Sequence, residues 1–306
     1  MARLSRQTKE TIQTVIVLLV LALLLFFYVI YPLNRTKAIF ARPNIDDKTY
    51  NNDSLPENDP TRFVEAGLTV DTFRVTSEGE ANIACVYVAG KVDSTGSSVR
   101  GTVLLAHRQG QTRDSMVWLT TQLVDSGWNV LAYDQRASGL STGKYHGEGV
   151  YEAHHLEDIV AFIDIRDLAP RPVVAVGFGA SADGALIASR EDQRIDLVIA
   201  VDPYLTSTRM LDIVRKKYHL YWFPFFRSVM WWWYGIRSGY DGPYRGINTL
   251  QPVADTTILY VSPNLAKDKA VVELINKSER SLLRAEAMIP TDEELLKAID
   301  NFGSRR

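Results

Sequence analysis

From Thr11 to Leu33 the chain reads TIQTVIVLLVLALLLFFYVIYPL, and no charge lies between Glu10 and Arg35. About 20 consecutive apolar residues suffice to cross the hydrocarbon core of a bilayer. This run therefore takes the N-terminal part of the chain out of any soluble fold and predicts one transmembrane helix over residues 11–33, with bilayer lipid as its partner. A cleaved secretory signal has an apolar core of about 7–15 residues followed by a small-x-small site. Here the run is longer and leads into Tyr31-Pro32-Leu33, so the expectation is an uncleaved signal anchor, single-pass, in a cell membrane. Arg3, Arg6 and Lys9 precede the span and Arg35, Lys37 and Arg42 follow it, so the positive-inside rule is nearly balanced. The short arm of residues 1–10 is the easier end to leave in the cytoplasm, which places the folded domain on the outer face.

Residues 34–62 are rich in Asn, Asp and Pro and cannot bury enough apolar surface to order themselves; they read as a polar tether. Asn34-Arg35-Thr36, Asn52-Asp53-Ser54 and Asn276-Lys277-Ser278 match the glycosylation acceptor pattern, which recurs by chance at this length. The 306-residue chain is 46% hydrophobic and 23% charged, a folding composition. Its 34 Lys+Arg against 36 Asp+Glu leave no basic excess for nucleic acid. One cysteine, Cys85, excludes an internal disulfide framework and a cysteine-rich metal site. His154-His155, with Glu152 and Glu157 nearby, has metal-binding residue types without a recognised zinc spacing and reads as a solvated helix start. Neither a metal nor a cofactor is expected.

Residues 63–306 read as one α/β domain. Asp71–Thr76 and Ile83–Val92 alternate like half-buried antiparallel strands. Short continuous apolar runs follow, the pattern of strands covered on both faces: Thr102–Ala106, Asn129–Tyr133, Val173–Phe178, Leu197–Val201 and Thr257–Val261. Between them helical periodicity falls near Ser115–Ser126, Gly149–Arg166, Ala182–Ser189 and Lys267–Ile275. A last helix follows Pro290, with Thr291 as its cap and Glu294 at capping-box spacing. This alternation predicts a doubly wound, mostly parallel sheet.

The segment GTVLLAHRQGQTRDSMVWLTTQLVDSGWNVLAYDQRASGLSTGK resembles the α/β-hydrolase superfamily, in its bacterial serine-hydrolase branch near monoacylglycerol lipases and dienelactone-hydrolase-like enzymes. In that family the first strand of the segment ends in His-Gly, and here it ends in His107-Arg108. The next ends in Asp-x-Arg-Gly-x-Gly-x-Ser, and here it reads Asp134-Gln135-Arg136-Ala137-Ser138-Gly139-Leu140-Ser141. The resemblance implies an α/β-hydrolase fold, with a helical cap inserted over about residues 203–250.

It also implies where the chemistry belongs. A G-x-S-x-G turn after the central strand exposes a nucleophile, and the oxyanion hole uses the next backbone N–H and one after the first strand. Ser181 takes the nucleophile position in the register Gly179-x-Ser181-x-Asp183, which is preferred because Gly184-Ala185-Leu186 continues as such helices do. A rival register, Gly177-Phe178-Gly179, puts glycine there instead. With Ser181 as nucleophile, Ala182 supplies the oxyanion N–H, and Arg108 and Asp183 flank the hole. Asp183 serves either as a helix N-terminal cap or as a partner of Arg108 across a vestigial site.

The general base decides more. The family order is Ser…Asp/Glu…His, yet the histidines are His107, His146, His154, His155 and His219, and none lies after residue 219. In one measured serine protease, removing this histidine costs about 10⁶ in turnover. The acid is Asp268 with an insertion, or Asp202 after the preceding strand, and His219 in the cap is the one histidine that could fold over Ser181. His107 organises its loop.

The cap is also aromatic, with Trp222 and a run of Trp231, Trp232, Trp233 and Tyr234. Such residues pack a lid, contact a partner protein or sit at a membrane interface. The leading expectation is a membrane-anchored pseudo-hydrolase, an accessory or assembly subunit docked on a membrane-protein partner through its transmembrane helix and aromatic cap. The alternatives are a membrane-bound esterase or lipase using Ser181, and a binder of lipid or another small ligand that keeps the pocket without the chemistry.

Overall fold

The computed structural model describes residues 5–41, 55, 57–78, 81–91, 99–147, 149–217, 219–221, 225–238, 256–263, 265, 269, 273, 283–286 and 291–303. The chain divides into two compact units, Arg42–Arg209 with Tyr244–Arg306, and Met1–Ala41 with Met210–Pro243.

The larger unit is built on strands β1 (Val70–Ser77), β2 (Ala81–Val88), β3 (Thr102–Ala106), β4 (Asn129–Tyr133), β5 (Val173–Phe178), β6 (Leu197–Val201), β7 (Thr257–Val261) and β8 (Leu283–Glu286). They form one sheet in the order β1-β2-β4-β3-β5-β6-β7-β8, and the short helix α3 (Thr61–Glu65) precedes β1 in the chain. β1 and β2 are antiparallel to their neighbours, and from β4 to β8 every pairing is parallel.

The continuous apolar runs are explained by burial on both faces. In β3, Leu104 packs with Leu156, Ile159 and Ile163 of helix α5 (Val150–Ile165) and with Ala185 and Leu186 of α6 (Ala180–Glu191). Its neighbours Val103 and Leu105 face the opposite way, onto Leu119 and Leu123 of α4 (Val117–Asp125) and Leu295 and Ile299 of α9 (Asp292–Gly303). Each such large side chain stabilises the fold by about 1.5–3 kcal/mol relative to exposure. The backbone N–H of Glu294 donates to Thr291 Oγ1 at 3.3 Å, so the cap of α9 forms as its sequence spacing predicts.

Two expectations shift. β2 begins at Ala81 and stops at Val88, ahead of exposed Ala89 and half-buried Gly90. β8 was not anticipated: four residues including Arg284 and Glu286 carry little strand signal, and pairing with β7 makes them a strand. Most of the helix expected at Lys267–Ile275 lies outside the described residues, as does Asp268.

In the smaller unit, α1 (Arg6–Leu25) passes through one π-helical turn at Phe26–Ile30 into α2 (Tyr31–Phe40). The helix Arg6–Lys37 is long and apolar enough to cross a membrane, and no residue of α1 is buried. Residues 34–40, expected to belong to the tether, are helical instead. Pro32 follows the π-helical turn without ending the helix, and Thr36 and Phe40, one turn apart, are buried. Thr36 Oγ1 donates to the Pro32 carbonyl at 2.9 Å.

Within the stretch expected as a cap lie α7 (Ser207–Lys217) and α8 (Phe226–Ser238), and from Met210 it groups with the N-terminal helix. The rings of Phe40 and Tyr234 lie 4.5 Å apart, and Asp212 of α7 pairs with Arg227 of α8.

Candidate active site

The sheet's central strand, β5, ends in a turn of a single residue before α6 begins. Gly177 lets strand and helix meet closely, since a Cβ there would lie 2.4 Å from the Ser181 carbonyl oxygen. Phe178 closes the strand, and Gly179 makes the turn with φ 60 and ψ −119, a conformation strained for any residue with a side chain. The turn residue is thus Gly179, the register Gly177-Phe178-Gly179 and not the preferred one. A Cβ at Gly179 would lie 3.3 Å from the Tyr204 hydroxyl.

Ser181 is the second residue of α6 and points inward. Its hydroxyl is buried, 3.0 Å from the carbonyl oxygens of both His107 and Phe178, and it accepts the Gln135 side-chain N–H at 2.8 Å. No histidine ring nitrogen is among its partners. Ala182 is fully buried in the core one residue further into the helix, and with Gly179 at the turn the N–H that follows belongs to Ala180.

Asp183 does not meet Arg108. Its carboxylate is fully buried and accepts the backbone N–H groups of Tyr204 and Leu205, each at 2.8 Å, fastening α6 to the segment that leaves β6. Burial raises its pKa to about 7, against the opposing pull of those two N–H groups and Arg209. Arg108 is exposed, with its guanidinium 5.6 Å from the centre of the Phe178 ring.

His107 organises its loop, as its position suggested. The ring is fully buried, Nε2 accepts the Gln135 backbone N–H at 3.1 Å, and Nδ1 lies 2.9 Å from the Arg108 carbonyl oxygen. Those partners fix the Nδ1–H tautomer, and burial holds the pKa below the usual range, so the ring is neutral. The Gln135 side chain also donates to the His107 carbonyl. Gln135 is the residue that sequence reasoning missed, and its only signal is its place two positions after β4.

The Asp134–Ser141 segment is structural. The Asp134 carboxylate accepts the N–H groups of Arg113 at 2.8 Å and Leu140 at 2.9 Å, and Ser141 Oγ donates to the Asp134 carbonyl at 2.5 Å. Gly139 is obligatory here, since with φ +45 its Cβ would sit 2.2 Å from the Asp134 carboxyl group.

Asp202 follows β6 in a left-handed conformation (φ 48), partly exposed, with Ser262 Oγ at 3.5 Å and Arg209 at 3.9 Å. It shares no hydrogen bond with Ser181. His219, in the smaller unit, is exposed. His155 is buried rather than solvated, and burial pushes its pKa down to about 3. His154 pairs with Glu78 at 3.1 Å and Glu157 at 3.5 Å. Among the described residues no cluster of three or more His, Cys, Asp or Glu could hold a metal ion. Cys85 is buried, which pushes its thiol well above the ordinary range and leaves it unreactive.

Of the tryptophans, Trp222 lies outside the described residues. The ring of Trp231 lies 5.3 Å from that of Tyr234, Trp232 is 59% exposed, and Trp233 Nε1 donates to the Tyr28 carbonyl at 2.8 Å.

Strand order, helix placement and the single-residue turn after β5 define an α/β-hydrolase fold, and solved structures agree. The chain is similar to the esterase Pf2001 of Pyrococcus furiosus, with 19% identity and TM-score 0.57 over 79% of this chain and 90% of that one. An α/β serine hydrolase without a lid, XC6422 of Xanthomonas campestris, matches at 14% identity and TM-score 0.51, over 78% and 94% of the two chains. An α/β hydrolase of Vibrio vulnificus matches at 14% identity and TM-score 0.54, covering 87% of each chain. No protein-family model matches the sequence, and no curated protein is similar to it in sequence.

Proposed function

We propose that this chain is a membrane-anchored α/β-hydrolase-fold protein without serine-hydrolase catalysis, a pseudoenzyme serving as an accessory or binding subunit at the membrane. The observation that carries the reading is Gly179 in the turn after β5. The fold holds its nucleophile on that turn, and glycine has no atom to attack with. The nearest hydroxyl of α6, on Ser181, is committed to His107, Phe178 and Gln135. The absence of histidine from residues 220–306 agrees, since the family's base follows the last strand. The apolar helix Arg6–Lys37 is the proposed anchor, with the larger unit on the outer face.

The competing reading is a membrane-bound esterase using Ser181, and esterases among the structural neighbours favour it. The two separate on one measurement, labelling of the detergent-solubilised protein with a fluorophosphonate probe, with Ser181→Ala as control. The expected result is no labelling of either protein, with folding verified by circular dichroism. Labelling of the parent that disappears in Ser181→Ala overturns the proposal and restores the esterase.

A further inference from the structure

Position along the N-terminal helix decides what surrounds α8. Trp233 reaches the Tyr28 carbonyl and its neighbour Tyr234 reaches the Phe40 ring. At 1.5 Å per residue those two points are about 18 Å apart along the helix axis. Two adjacent residues can reach both only if α8 crosses between them, beside residues 31–37. The apolar run gives way to Asn34, Arg35 and Lys37 there. Measured from Thr11 to Ile30 the run covers about 30 Å, the thickness of a bilayer's hydrocarbon core, so the crossing sits at the level of its edge.

The contact is also specific. Pro32 has no N–H to return to the carbonyl four residues before it, which is that of Tyr28, and the Trp233 indole donates to that carbonyl at 2.8 Å.

The exposed side of α8 carries large apolar residues, with Ser228 one turn before Trp232. Met230 and Tyr234 are buried, whereas Trp232 and Ile236, one turn apart, are 59% and 57% exposed, and Phe225 at the helix entry is 71% exposed. Tryptophan is enriched at membrane–water interfaces, and a short helix with one apolar and one packed face can lie in that plane. A helix beside the one such span among the described residues has lipid as its lateral neighbour at this depth.

We propose that α8 is an interfacial helix whose Phe225, Trp232 and Ile236 insert at the boundary between lipid headgroups and acyl chains, so that the smaller unit comprises a span and a lipid-embedded side helix. This rests on the reading of Arg6–Lys37 as a membrane anchor. The test uses the full chain in vesicles of mixed zwitterionic and anionic phospholipid, labelled with an environment-sensitive fluorophore at Trp232→Cys or Ile236→Cys. Val20→Cys marks the span and Glu65→Cys the exposed surface of the larger unit. Buried Cys85 stays native. Lipids carry a nitroxide quencher either near the headgroup or near the chain end.

Labels at 232 and 236 should be quenched several-fold more by the shallow nitroxide than by the deep one, with the reverse at 20 and little quenching at 65. If 20 is quenched by the deep nitroxide while 232 and 236 behave like 65, the anchor stands and the lipid assignment falls, leaving that face for a protein partner. If 20 is not quenched by the deep nitroxide, the anchor reading fails and takes the inference with it.

Discussion

The hydroxyl of Ser181 lies 3.0 Å from the backbone carbonyl of His107, 74 positions earlier, and accepts the Gln135 amide at 2.8 Å. This serine ties the starts of two loops to α6, so its removal should register as a loss of stability. Ser181→Ala strips an acceptor from a buried N–H and is expected to cost about 1–3 kcal/mol. Denaturant unfolding monitored by circular dichroism checks this, and an unchanged midpoint would mean that the three-way contact contributes nothing.

Gly177 and Gly179 should differ sharply when given a methyl group. Gly177→Ala drives a Cβ into the backbone of Ser181 at 2.4 Å, and backbone cannot yield cheaply. It is expected to lose more than about 4 kcal/mol, in the range reserved for severe packing failures. Gly179→Ala meets only the Tyr204 side chain at 3.3 Å and pays for its positive φ, about 1–3 kcal/mol. Comparable losses in thermal unfolding would contradict the placement of the turn.

Asp183 should make stability depend on pH with an unusual sign. Its carboxyl group titrates near 7 when folded against an ordinary 3.8, so the folded chain binds that proton more tightly. The contribution is fully present below about pH 4 and is lost as the pH rises through about 7, with a slope of at most about 1.4 kcal/mol per pH unit. Asp183→Asn keeps one acceptor for the Tyr204 and Leu205 N–H groups and removes the titration. Its stability profile between those limits should be flatter than the parent's, and parallel profiles would refute the assignment.

Trp233 and Pro32 should be coupled. Trp233→Phe withdraws the donor to the Tyr28 carbonyl, at a net cost of about 0.5–1.5 kcal/mol. In a Pro32→Ala background the helix can supply its own N–H to that carbonyl, and the same substitution should cost less. A double-mutant cycle of thermal unfolding in detergent measures the difference, and additive effects would exclude the coupling.

Most of the sheet was readable because strands covered on both faces leave uninterrupted apolar runs, and β3 to β7 match theirs residue for residue. β8 was not readable, since Arg284 and Glu286 interrupt any such run and only the neighbouring edge defines it. The elbow was misplaced for a related reason. Ser181 has the right side chain for a nucleophile, whereas the positive φ that marks the turn belongs to a glycine with a second glycine two places before it, and residue types alone do not separate the two registers. Residue types were likewise silent on the partner of Asp183, because Tyr204 and Leu205 contribute only backbone N–H groups. The N-terminal helix outran its expected end because the polar residues from Asn34 read as a tether, whereas Thr36 and Phe40 bury one turn apart among them.

The smaller unit draws on two separate stretches, Met1–Ala41 and Met210–Pro243, so the polypeptide enters it, leaves and comes back. A protease site engineered between residues 42 and 54 would sever one connection and leave the other intact. The released anchor fragment would stay attached through non-covalent contacts such as those of Tyr234 with Phe40 and Trp233 with Tyr28. On the proposed reading of Arg6–Lys37 as an anchor, the nicked protein should sediment with membranes, separating only when α8 is peeled away. Shedding by a single cut is a route that this stitched connectivity closes.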